Sequence, residues 1–188
     1  MFAIPLGPAD LKAELRPLEP WQAEEFFAHI DRGREHIGRH APLTDVNRTL
    51  DESRAFLTRY AQKQATDTGR IHGIWQDGTL VGGVLFRIFD TSEGLCEVGC
   101  WLEATATGQG LITRAIRVLI DWAVEERGMH RVEWHTSAAN EASIRAAERL
   151  GMRRDGVLRD ADLHRGERHD LEIWSVLAPE WRELRARA

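Results

Sequence analysis

Cysteine is scarce in this chain, and the two residues present, Cys96 and Cys100, fall in one strand-like run. Four strand residues separate their Cα atoms by roughly 13 Å, well beyond the ~7 Å a disulfide tolerates. A disulfide-stapled scaffold is excluded, and two buried thiols are expected. Tyrosine occurs once, at Tyr60. No run of about 18 apolar residues is present, so no membrane span is expected. The opening Met1-Phe2-Ala3-Ile4-Pro5 has no basic segment followed by a long apolar one. No secretory signal is visible there, and a cytoplasmic location is the expectation. A basic excess is also missing. The net charge of −5 argues against nonspecific nucleic-acid binding and leaves room for a basic ligand such as an amine.

What is there reads as one domain over 1–188, with 43% hydrophobic and 29% charged residues. Residues 11–17 alternate like a first strand. Helices are expected over 20–32, carrying Trp21, Phe26, Phe27 and Ile30, and over 51–64 behind the acidic turn Asp51-Glu52. Between them lie a short helix and a loop with His36, Arg39, His40 and Pro42. Asp77-Gly78 marks a hairpin between Ile71–Trp75 and Leu80–Phe89. A strand over 96–102 leads into an apolar helix over about 109–126, which stops at Gly128. A strand over 131–136 puts Val132, Trp134 and Thr136 on one face, and a helix over 140–150 ends at Gly151. Two strands, near 154–163 and 168–178, flank the turn His164-Arg165-Gly166-Glu167. The order predicts an α/β (α+β) fold: a mixed, mostly antiparallel sheet of about six to seven strands with about four helices. The missing βαβ alternation counts against a dinucleotide-binding fold.

Between strand Glu97–Leu102 and the apolar helix stands Gly108-Gln109-Gly110-Leu111-Ile112-Thr113. Two glycines at a helix start leave backbone N–H groups uncovered at the positive end of the helix dipole, which suits a diphosphate. A nucleoside triphosphatase would need Lys-Ser/Thr after the glycines, and Leu111-Ile112 stand there instead. A G-x-G-x-x-G fingerprint fails at Thr113. A glycine-rich helix start with no ligand fits the same residues. Metal is not indicated: His130/His135 and His164/His169 lie on no shared helix face, and no cysteine joins them.

With its surroundings, this segment resembles the GNAT superfamily of acyl-CoA-dependent N-acyltransferases. Their Gln/Arg-x-x-Gly-x-Gly/Ala signature corresponds to Thr107-Gly108-Gln109-Gly110-Leu111-Ile112; Thr107 and Ile112 depart from it. The RimJ/RimL-type acetyltransferases of ribosomal proteins are the nearer branch. They share Thr113 after a bulky residue, Glu97-Val98-Gly99-Cys100-Trp101-Leu102 before the loop, and Asn140-Glu141-Ala142-Ser143 with Leu150-Gly151-Met152 after it. The stretch Arg34 to Pro42 is similar too. The resemblance covers about 11–178 and implies a GNAT fold, with acetyl-CoA as co-substrate.

The resemblance implies roles for individual residues. The amides of Gln109, Gly110, Leu111, Ile112 and Thr113, with Gly108, would hold the pyrophosphate. Cys100, Trp101 and Leu102 would run beside the pantetheine arm, and Asn140 would bond the cofactor as well as cap a helix. Ser143, three residues on and on nearly the same helix face, would protonate the leaving thiolate, since Tyr60 is badly placed for it. The candidates to take the amine proton are Glu97, Asp162 and the histidines, and the resemblance favours Asp162. His36, Arg39 and His40 would line the acceptor site. The expected reaction is direct acetyl transfer in a ternary complex to a primary amine, most naturally a protein N-terminal α-amine. A small amine, a larger donor such as succinyl-CoA, and a non-catalytic CoA-binding module remain as alternatives. No nucleic acid, membrane or metal is expected as a partner. Seven tryptophans, Trp174 and Trp181 among them, leave room for a homodimer face, though most should be core.

Overall fold

Turn chemistry and hydrophobic spacing account for most elements of the computed structural model, which describes residues 3–187. Among these residues there are eight strands and five α-helices, a mixed, mostly antiparallel α/β architecture. Two elements escape the sequence pattern. Strand β1 (Ile4–Pro5) is too short to show alternation. The last helix replaces the tail of a strand expected to reach 178. Pro179 opens it, and Glu180 folds back to accept from the Leu177 N–H at 3.0 Å.

The chain forms two compact units. The first comprises the residues up to Phe86 with Cys100–Ala115. Its strands β1, β2 (Ala13–Pro17), β3 (Arg70–Gln76) and the start of β4 (Thr79–Asp90) are antiparallel neighbours. Asp77 and Gly78 turn β3 into β4 with φ of 49° and 77°, the left-handed pair a type I′ hairpin needs. Helix α1 (Ala23–Ile37) buries Phe26 and Ile30, and Phe26 stacks on Phe56 of α2 (Leu50–Ala65) at 5.7 Å. Trp21 departs from the expected helix face: it sits in the 3-10 turn Pro20–Gln22 and is 80% exposed. Thr49 caps α2, accepting from the Glu52 N–H at 3.2 Å while Glu52 accepts from the Thr49 N–H at 3.1 Å. Strand β5 (Leu95–Leu102) ends in this unit, against Gly83. A Cβ on Gly83 would stand 2.2 Å from the Trp101 ring, so only glycine admits that indole.

The second unit holds Arg87–Gly99 and the residues from Ile116 on. Strand β6 (Arg131–Ser137) runs parallel to the start of β5, with Leu95 to Val98 opposite Arg131 to Trp134. Strand β8 (Glu167–Leu177) pairs antiparallel with β6, and β7 (Arg153–His164) pairs antiparallel with β8. Arg165 and Gly166, at φ of 50° and 86°, form a second left-handed hairpin turn. Helix α3 (Leu111–Asp121) buries Leu111, Ala115, Ile116, Leu119 and Ile120. It stops short of the expected 126, because a wider π-type turn takes over at Trp122–Glu126. There the Arg127 guanidinium lies 5.0 Å from the Trp122 ring and 5.2 Å from Phe89. Helices α4 (Glu141–Arg149) and α5 (Ala178–Ala186) complete the unit. Both cysteines are free thiols, and burial pushes each up to about 12. Among the described residues, no helix is long and apolar enough to cross a membrane.

Candidate active site

The site residues expected from the sequence fall in both units. In the first, β5 ends where the Glu103 N–H donates to the Val81 carbonyl at 2.8 Å. A 3-10 turn follows, pinned by the Thr107 hydroxyl on the Ala104 carbonyl at 2.7 Å. Gly108 and Gly110 take φ of 78° and 73°, which costs glycine nothing and an L-residue about 1–2 kcal/mol. The first helical bond of α3 runs from the Arg114 N–H to the Gly110 carbonyl at 3.1 Å. The N–H groups of Leu111, Ile112 and Thr113 therefore have no acceptor within the helix and sit at its positive end. Gln109 offers a backbone N–H, while its side-chain Oε1 is occupied by Gln76 Nε2 at 2.6 Å. Arg114 reaches back to the Leu6 carbonyl at 3.1 Å.

Beneath this loop is a brace that no sequence motif announces. The Trp101 indole N–H donates to His29 Nε2 at 2.9 Å, so the His29 proton is on Nδ1 and is donated to Glu103 Oε1 at 2.5 Å. Arg32 bonds the same carboxylate oxygen at 3.0 Å and the Leu80 carbonyl at 2.8 Å. His29 is fully buried. Burial works to raise the Glu103 carboxyl, but His29 and Arg32 outweigh it and hold it below its ordinary value. The brace fixes both residues flanking Leu102. His36 occupies the last turn of α1 rather than a loop, while Arg39 and His40 follow the helix and are exposed.

In the second unit the parallel ladder stops at Val98–Trp134, although β5 continues to Leu102 and β6 to Ser137. At that last rung the Trp134 indole N–H donates to Ser143 Oγ at 2.9 Å. Ser143 is thereby an acceptor from Trp134, and its own O–H remains for another partner. Asn140 caps α4 as expected, with Oδ1 accepting from the Ser143 N–H at 3.1 Å; its Nδ2 donors take no part in that cap. Trp134, Asn140 and Ser143 are thus one constellation. The indole bond was hidden in the sequence because it joins residues from a strand and a helix.

The expected base candidates stand apart from one another. Asp162 is on β7 beside a bulge, half-buried and opposite His169 of β8. Glu97 is 4% exposed and gripped by Arg87, whose Nε donates to Oε1 at 2.5 Å and whose Nη2 donates to Oε2. Among the described residues, no group of three His, Cys, Asp or Glu is arranged to hold a metal ion.

A loop of this geometry, reached through the Glu97–Leu102 strand, is matched at family level: the acetyltransferase (GNAT) domain model covers residues 12–153. The chain belongs to the GNAT acetyltransferases. This GNAT enzyme, of the RimJ/RimL type, is 31% identical over 168 residues to the N-acetyltransferase YdaF of Bacillus subtilis (strain 168), whose name assigns it provisionally to ribosomal proteins. The match takes in 89% of this chain and 92% of that relative. The ribosomal-protein-serine acetyltransferase of Escherichia coli (strain K12) is 24% identical over 102 residues, covering 54% of this chain and 57% of its own. The solved structure of RimL, a ribosomal α-N-protein acetyltransferase in complex with coenzyme A, superposes with a TM-score of 0.87 over 94% of this chain and 98% of its own. At 16% identity, that likeness concerns the fold.

Proposed function

We propose that this GNAT enzyme transfers the acetyl group of acetyl-CoA to the N-terminal α-amine of a protein, of the ribosomal-protein kind, and so works in the cytoplasm. The observation that carries the reading is the end of the parallel ladder at Val98–Trp134, with Ser143 held at that rung by the Trp134 indole. Past the rung, the β5 backbone at Gly99 is left as an edge, since the parallel ladder ends at Val98. That edge suits a pantetheine arm, whose amides pair as a strand would. Cys100, Trp101 and Leu102 offer it, and the N–H groups of Gln109 to Thr113 fit a pyrophosphate.

The chemistry divides among named groups. Direct transfer needs a held donor, a neutral amine, hydrogen bonds to the oxyanion and a proton for the thiolate. Backbone amides of the Cys100–Leu102 segment polarise the thioester carbonyl. The Ser143 O–H donates to the departing sulfur, and Asn140 orients the cofactor while it holds Ser143 in place. Glu97 and Asp162 are the carboxylates on the amine side, and His36, Arg39 and His40 select the acceptor. An α-amine asks little of a base: its ordinary pKa is about 7.7–8.0 against about 10.4 for lysine. At pH 7 roughly a tenth of α-amines are neutral, and under about one lysine in a thousand, a gap of about 3.5 kcal/mol.

Thiol release from acetyl-CoA tests the reading, with peptides beginning Ser, Ala or Met, each carrying an internal lysine, with free or blocked α-amines. Release is expected only from free α-amines, and S143A is expected to lower kcat by about 10–100-fold with little change in acetyl-CoA KM. Release that persists after blocking would move the acceptor to lysine. Silence toward every peptide, with acetyl-CoA still bound, would move it to a small amine.

A further inference from the structure

Glu97, one residue before the last β5–β6 rung, is already committed: each oxygen accepts a bond from Arg87. Both of its oxygens are thus occupied as acceptors. The neighbouring imidazole is engaged differently. His135 lies on β6 one residue past the Val98–Trp134 rung, and strand alternation puts its ring on the face that carries Glu133 and Glu97. Its Nε2 is 2.8 Å from Glu133 Oε2, and its Nδ1 is 3.7 Å from Glu97 Oε2. An ionised carboxylate only accepts, so Nε2–H donates to Glu133, and in the neutral ring the lone pair is then on Nδ1. Glu133 is itself anchored by Arg131 Nε at 2.7 Å. Burial works to raise its carboxyl, and the bonds from Arg131 and His135 overcome that and hold it below its ordinary value. A proton on Nδ1 would leave the imidazolium with a carboxylate oxygen near each nitrogen, Glu133 Oε2 at 2.8 Å and Glu97 Oε2 at 3.7 Å.

Among the described residues, charged groups of three strands bear on this ring. Glu133 and Arg131 come from β6, Glu97 from β5 and Arg87 from β4. On β8 the residues opposite His135 and Glu133 are Ile173 and Ser175. Asp155 of β7 bonds Arg131 and Ser175, at 2.5 and 2.6 Å, and so belongs to the outer end of the network.

We propose that His135, oriented by Glu133, is the catalytic residue that takes the proton from the attacking amine, a role that rests on the acetyl-transfer reading above. The amine nitrogen bonds to the acetyl carbon, and its proton passes to His135 Nδ1 directly or through one water. The carbon–sulfur bond breaks, and the sulfur takes the Ser143 hydroxyl proton. The imidazolium then gives its proton to solvent, from which Ser143 regains one. Glu133 acts as a positioning residue: it selects the tautomer with Nδ1 unprotonated and supports the charge that forms.

The test is kcat/KM against pH for acetyl-CoA and a Ser-initiated peptide, with wild type, H135Q and E133Q, and thermal unfolding run alongside. H135Q is expected to lose about 100-fold in kcat/KM and the acid limb of the profile, with acetyl-CoA KM within about threefold. Because the unprotonated ring is the working form, the rate rises with pH through its titration. E133Q strips the imidazolium of a carboxylate, so that rise is expected to move to lower pH. A purely structural Glu133 would lower the rate without moving the limb. H135Q at wild-type rate, or E133Q with an unmoved limb, overturns the proposal; should H135Q fail to fold, the E133Q limb decides. A wild-type protein that releases no thiol overturns the acetyl-transfer reading itself, which the variants then cannot be confused with.

Discussion

His72, on β3, is 6% exposed, and its Nδ1 has no hydrogen-bond partner. Burial, with the Arg70 charge beside it, pulls its pKa from 6.5 to about 4. The unfolded chain therefore binds a proton that the folded one refuses between those values, so stability is complete above about pH 6.5 and falls as pH drops toward 4. The loss from this residue is about 2 kcal/mol at pH 5. Urea unfolding at pH 7 and pH 5 should show it, and H72L should flatten the difference; an equal fall in H72L would assign the loss to other groups. At this scale the sequence is half legible. Ser143 and Asn140 stand out because three residues along a helix bring them together. Trp134 above Ser143, His29 on Glu103, and His135 between Glu133 and Glu97 do not. Each depends on which residue of another element lies opposite, and His135 read alone is one of eight histidines that could act as a base, in a pair with His130 that indicates no metal.

Elements are most legible where backbone chemistry leaves no choice. Asp77-Gly78 foretells its hairpin because both residues adopt positive φ. The acidic turn Asp51-Glu52 and the glycine helix start place α2, and the beginning of α3, to within a residue or two. The misses have equally local causes: two residues of β1 carry no period, and the π-type turn after Asp121 keeps the apolar spacing of a helix while changing its hydrogen bonding. Gly110 is where an element's geometry and the proposed ligand chemistry meet. A Cβ there would find only Arg114 Nε, at 3.9 Å, so its φ of 73° is the whole obstacle. G110A is expected to cost about 1–2 kcal/mol, or roughly 2–8 °C of Tm. Calorimetric titration with acetyl-CoA should show a further loss of affinity, because relaxing that strain turns the first N–H groups of α3 away from the pyrophosphate. Unchanged affinity would remove this loop from the acetyl-CoA site.

The whole molecule is divided in space in a way the chain is not. The first unit takes back Cys100–Ala115 after the second has claimed Arg87–Gly99, so β4, β5 and α3 each contribute to both. Cutting the chain after Ala115 therefore yields no complete second unit: β6 loses its parallel neighbour, and the burial of Val132 and Trp134 with it. A fragment of residues 116–188 is expected to show no cooperative unfolding transition by circular dichroism; a sharp one would mean that β5 is dispensable to that unit. The same threading sets an order on synthesis. Every residue of the first unit has left the ribosome once Ala115 emerges, whereas Arg87–Gly99 must wait for partners translated later. A nascent chain can thus complete its glycine loop early, while the unit holding Ser143 and His135 closes only near the end of translation.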